Sequence, residues 1–200
     1  MKIIAKILST ILHPLLMPVY GIILVILFSF MRFFPIRMNL YLFGLVAVFT
    51  LFVPLLAIVV LYSTGIISSI NLRERKDRKW PFLIAVISYI ICGVLFYRFE
   101  VPLWILGFIT GGVISLLIDF IITFWWKISA HMTGIGGFTA CSVFLTQTFE
   151  MFPLYGVMLV VLAAGLLGSS RILLNRHTLG QVLAGTVNGF ASIYIAMLFI

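Results

Sequence analysis

LYLFGLVAVFTLFVPLLAIVVLY, residues 40–62, holds 23 residues without a single charged side chain. Wound as an α-helix at about 1.5 Å per residue, such a stretch covers the roughly 30 Å of hydrocarbon in a bilayer. Working outward, the same pattern recurs along all 200 residues: 64% of side chains are hydrophobic and 9% charged, with a mean hydropathy of +1.29. A soluble domain has roughly 45–50% apolar residues and about 25% charged ones. The sequence therefore predicts an all-α, polytopic transmembrane helical bundle.

Division at charges and prolines yields seven segments, at about residues 11–31, 40–62, 82–97, 103–126, 132–149, 153–168 and 178–200. The third, fifth and sixth are short and span only by extending into flanking residues or thinning the lipid. The first could instead be a surface or re-entrant helix, so six or seven spans are expected. The basic start with Lys2 and Lys6 superficially resembles a signal peptide. Its apolar stretch, however, runs to about Met31 through Pro14 and Pro18 with no small-residue cleavage site, and reads as a membrane helix. No linker or low-complexity tract divides the chain, so residues 1–200 read as one integral membrane domain.

The GxxxG patterns Gly107 to Gly111 and Gly185 to Gly189 read as places of close helix approach. Cys92 and Cys141 each stand alone in apolar sequence and read as structural. His13, set among prolines, reads the same way.

The net charge of +8 points to phosphate or anionic lipid rather than to nucleic acid, because the basic residues gather in short polar segments between apolar runs. Three such segments stand out. Arg73-Glu-Arg-Lys-Asp-Arg-Lys-Trp-Pro81 follows the second apolar segment. Lys127-Ile-Ser-Ala-His131 follows the fourth, and Ser170-Arg171-Ile-Leu-Leu-Asn-Arg-His177 follows the sixth. Each follows an even-numbered segment, so continuous alternation brings all three to one membrane face. Singly, an Arg/Lys run after a span is a topology signal or a headgroup contact, and a lone histidine a hydrogen-bonded helix end. Together they could converge on one anion. Asp119, the only charge in the fourth segment, is a functional candidate by its setting, or simply reaches toward Lys127 about two turns away.

These residues resemble the motifs of the type 2 phosphatidic acid phosphatase family, written KxxxxxxRP, PSGH and SRxxxxxHxxxD. Ser170-Arg171-x5-His177 matches the front of the third motif. Ser129-Ala130-His131 resembles the second, with Ile128 at the proline position. The first is matched loosely, with Arg73 at the lysine position, Trp80 at the arginine and Pro81 in place; Arg75 and Arg78 could supply its cations from a shifted register. The resemblance covers roughly residues 73–185, within a core of about 73–200.

It implies a metal-independent lipid phosphate phosphatase of a divergent prokaryotic type, without cofactor. His177 would attack phosphorus to give a phosphohistidine. His131, as imidazolium, would protonate the leaving oxygen. Arg75, Arg78, Lys127 and Arg171 would hold the phosphoryl oxygens, with Ser129 adding a donor. Gln181 stands where the family has an aspartate: its carbonyl can fix the His177 tautomer but carries no charge.

The expected substrate is an isoprenoid diphosphate or a glycerophospholipid phosphate, the surrounding partners are membrane lipids, and no nucleic acid is expected. The family's active face is usually non-cytoplasmic, here on a prokaryotic inner membrane. Counting cations does not decide orientation once the motif cations are set aside as ligands. A non-catalytic anionic-lipid binder or a transporter is the alternative.

Overall fold

The computed structural model describes residues 2–72 and 74–200, so Arg73, at the first motif's lysine position, lies outside the described residues. Helix is the only regular secondary structure among them. In order the chain forms α1 (Lys2–Ile11), α2 (Met17–Leu27), α3 (Ile36–Val46), α4 (Val53–Ser63), α5 (Lys79–Arg98), α6 (Leu103–Ile122), α7 (Ala130–Phe149), α8 (Leu154–Leu173) and α9 (Leu179–Phe199). Six stretches are long and apolar enough to cross a membrane: Lys2–Leu27, Ile36–Ser63, Lys76–Arg98, Leu103–Ile122, Leu154–Leu173 and Leu179–Phe199.

Helix α7 falls outside that set on composition, not on length. At 20 residues it equals its neighbours, and its two ends meet opposite ends of α6. Phe144 and Phe149 pack on Trp104, whereas Thr133 reaches Asp119. It runs antiparallel to α6 over the full thickness, and its Thr133, Gly136, Gly137 and Ser142 are buried against other helices.

Proline explains most boundaries. Pro35, Pro102 and Pro153 sit immediately before α3, α6 and α8, where a missing N–H costs nothing. The first segment differs from the expected continuous 11–31. The helix stops at Ile11 and restarts at Met17, because Pro14 and Pro18 cannot donate, and His13 Nδ1 takes up the Leu15 N–H at 3.4 Å. Around Pro54 the chain widens instead into a π-helix, Ala47–Phe52, that joins α3 to α4. The Phe49 carbonyl that Pro54 cannot serve accepts the Ser88 hydroxyl at 2.5 Å. The short third, fifth and sixth segments lengthen into their polar flanks, so Arg171 lies in the last turn of α8.

Helix α9 is the hub, pressed on one side by α6 and on the other by α7. A Cβ on Gly107 or Gly111 would stand 2.6 Å from the Ala196 carbonyl oxygen or the Ile193 Cα. On the other seam a Cβ on Gly185 would stand 2.7 Å from the Ser129 carbonyl, and one on Gly189 would overlap the Thr133 carbonyl. Both GxxxG patterns therefore mark backbone-to-backbone contact. The main core, with Ile22, Val46, Phe96, Ile105 and Leu145 fully buried, fills the half of the bundle away from the basic segments.

Candidate functional site

At the other end the three polar segments meet. Arg78 from the start of α5, Lys127 and His131 from the α6–α7 junction, and Arg171, Arg176 and His177 from the α8–α9 junction line one cavity of about 520 Å³. Sequence distance is bridged by side chain to backbone contacts. Arg78 donates through Nη1 to the Ile128 carbonyl at 2.8 Å and through Nε to the Leu72 carbonyl at 3.2 Å. Two of its five N–H donors thus hold the guanidinium in place, and the rest remain for a ligand.

His177 is buried at the foot of α9, where the sequence Thr178-Leu-Gly-Gln181 forms a capping box. Gln181 Oε1 accepts the Thr178 N–H at 3.2 Å, which settles which way the amide faces. The same oxygen lies 3.1 Å from His177 Nδ1, and the Lys127 carbonyl lies 3.3 Å from that nitrogen. Both neighbours are acceptors, so Nδ1 carries the proton and Nε2 presents its lone pair. Burial pushes the imidazole down to about 4, and Arg78, Arg171 and Lys127 add to this; the Gln181 hydrogen bond works the other way. At neutral pH His177 is an uncharged base. The Lys127 ammonium is likewise held below its usual range, first by burial and then by Arg78, Arg176 and Arg171.

His131, one residue into α7, turns toward the N-terminal helix. Its Nε2 donates to the Ser9 carbonyl at 3.1 Å, and its ring stands edge-on to that of His13 at 5.3 Å. Helix α1 packs on α8 and brings Lys6, Ser9 and His13 to the cavity wall.

Of the eight residues singled out from the sequence, Arg78, Lys127, His131, Arg171 and His177 line the cavity, and Gln181 supports His177 from behind. Arg75 stands apart on the exposed loop, donating to the Phe124 carbonyl at 3.0 Å, and is not among the lining residues. Ser129 is fully buried, its hydroxyl unpartnered. Sequence reasoning left out Arg176, Lys6 and His13. Arg176 sits inside the third motif's variable stretch. Lys6 comes from α1 and His13 from the break that follows it, and no periodicity announces how either packs.

The cluster of Arg78, Lys127, Arg171 and Arg176 has no carboxylate within ion-pair distance. The one ion pair among the described residues is Glu74 with Lys76, at 2.9 Å on the surface. From this cationic end the cavity continues between α4, α5 and α6 to Pro54, Ala85, Phe108 and Ile109. Phe108 lies 11 residues before Asp119, or about 16 Å along the helix axis. The cavity is thus amphiphilic, with a positive mouth and an apolar shaft. No group of three His, Cys, Asp or Glu side chains suited to a metal occurs among the described residues.

No protein-family model, curated protein or solved structure matches the chain.

Proposed function

We propose that this chain is a membrane-embedded lipid phosphate phosphatase, acting on an isoprenoid diphosphate or a glycerophospholipid phosphate. The observation that carries the reading is four cations that form no ion pair among the described residues, around a neutral histidine, at the mouth of a cavity whose shaft is apolar. Such a mouth attracts a phosphoryl group, and such a shaft takes a hydrocarbon tail.

The chemistry follows from the protonation pattern. His177 Nε2 attacks phosphorus while the bond from phosphorus to the leaving oxygen breaks, giving phosphohistidine. Nδ1–H remains on Gln181 Oε1 and keeps the ring aimed. His131 protonates the leaving oxygen only as imidazolium, so it must first take up a second ring proton on Nδ1, and its Nε2–H must quit the Ser9 carbonyl, which involves α1. Arg78 and Arg171 stabilise the charge on the equatorial oxygens. Water then releases phosphate from His177. The resemblance in motif order supports the same assignment, as well as a prokaryotic inner membrane with the mouth on the non-cytoplasmic side.

The alternative, an anionic-lipid binder or transporter without hydrolysis, draws on two observations. Gln181 supplies no negative charge, and the His131 Nε2–H is already engaged. A phosphate-release panel over both lipid classes separates them. Release that falls at least about 10³-fold in His177→Ala is expected from loss of a nucleophile. Absence of release from every lipid, with binding unaffected by His177→Ala, would establish the alternative.

A further inference from the structure

Asp119 lines the same cavity, is wholly buried and has no part in the chemistry above. Its Oδ1 accepts from Thr133 Oγ1 at 3.1 Å and from Asn188 Nδ2 at 2.9 Å. Asn188 is itself spoken for. Its second N–H donates to the Ser115 carbonyl at 3.0 Å, and its Oδ1 accepts the Ser192 hydroxyl at 3.2 Å. These bonds tie α6, α7 and α9 together and explain one carboxylate oxygen. The other, Oδ2, is buried with no hydrogen-bond partner, and Arg78, held through Nε and Nη1 by the Leu72 and Ile128 carbonyls, makes no ion pair with it.

Location narrows what Oδ2 is for. On the α6 face that lines the cavity, Ser115, Gly112 and Ile109 descend from Asp119 toward the membrane interior. Asp119 therefore stands where the cationic mouth gives way to the apolar shaft. A ligand with phosphate at the mouth and tail in the shaft passes Oδ2 with the few atoms that join the two. A chain that is pure hydrocarbon up to the ester oxygen would leave Oδ2 buried and unsatisfied. An ammonium there would face Arg78, Lys127 and Arg171. A hydroxyl adds no charge, and because it both donates and accepts it satisfies Oδ2 in either protonation state of the carboxyl.

We infer that Asp119 is a specificity residue, selecting phosphate-headed amphiphiles that carry a hydroxyl on the carbon next to the phosphoester linkage over prenyl phosphates. This rests on the reading that the mouth binds a lipid phosphate, but not on hydrolysis.

The test measures binding by the full chain in lipid nanodiscs. The probes are a lysophosphatidate with a free hydroxyl on its central carbon and the same lipid with that hydroxyl replaced by hydrogen. Giving a partner to a buried oxygen that otherwise has none corresponds to roughly a 10–100-fold preference for the hydroxyl lipid in the wild type. In Asp119→Ala this preference falls to nearly none while affinity for the hydrogen-substituted lipid is kept. A merely structural role would weaken both lipids together. Asp119→Asn, whose carbonyl can still accept from Thr133 and Asn188 and whose amide N–H can donate to the lipid hydroxyl, serves as the milder variant and keeps part of the preference. Equal wild-type affinities, or a preference that survives Asp119→Ala, overturn the assignment. Failure to bind either lipid overturns it together with the lipid-phosphate reading, whereas binding with this preference but without phosphate release contradicts hydrolysis alone.

Discussion

His177 owes its character to two oxygens. Gln181 Oε1 and the Lys127 carbonyl both require a proton on Nδ1, and burial among cations keeps the ring neutral down to about pH 4. Since kcat/KM reports the free protein, the acid limb due to His177 should fall well below the ordinary histidine value of about 6.5. Gln181→Glu keeps the acceptor and adds a negative charge, which favours the imidazolium, so that limb should move upward; a pH profile of phosphate release from both proteins checks this. Stability carries the same signature. The unfolded chain takes up this proton near pH 6.5 and the folded one only near 4, so the folded state loses stability as pH falls through that window. At this scale the sequence was informative about type but not about contact. The resemblance to the third motif, which has an aspartate where Gln181 stands, paired that residue with His177. The bond from His131 to Ser9 joins residues 122 positions apart, and nothing in either neighbourhood announces it.

Among the elements, α9 carries both seams, and its glycines are places where a helix backbone is touched by another. Gly189→Ala should force the Thr133 carbonyl aside, at a cost of about 1–3 kcal/mol for overpacking, or several degrees of thermal midpoint. Gly44→Ala, where an added methyl meets nothing within 4 Å, should leave the midpoint unchanged or slightly raised. Thermal unfolding of the two variants in the same detergent measures the contrast. The GxxxG spacing made these contacts legible, because only small residues allow such approach in lipid. The lipid-facing helices were legible for a simpler reason, since a run such as residues 40–62 has no other way to be stable. Helix α7 was the hardest to read, because a central helix packs against protein and needs no apolar surface. The break at His13 went unread: prolines in a membrane segment can bend a helix or end it, and the outcome depends on what packs beside them. Here α1 lies on α8 and over the cavity.

At the scale of the whole molecule, charge and oil are sorted by position. The bundle carries its basic segments to one end and packs its largest aromatic core at the other. This sorting follows from counting segments, and it makes a topological prediction. Single cysteines at Asn71 and Asn175 should react with a membrane-impermeant maleimide from one side, and those at Phe34 and Glu100 only from the other. The native Cys92 and Cys141 are buried and leave little background. The central claim is that the sorted charge serves phosphoryl transfer to His177. The most direct measurement is therefore to quench the protein during turnover of a lipid phosphate labelled in its phosphoryl group and to map the label. An acid-labile phosphoryl group on His177, absent from His177→Ala, is the predicted result. Phosphate release that continues in His177→Ala, with no label on that histidine, would contradict the account.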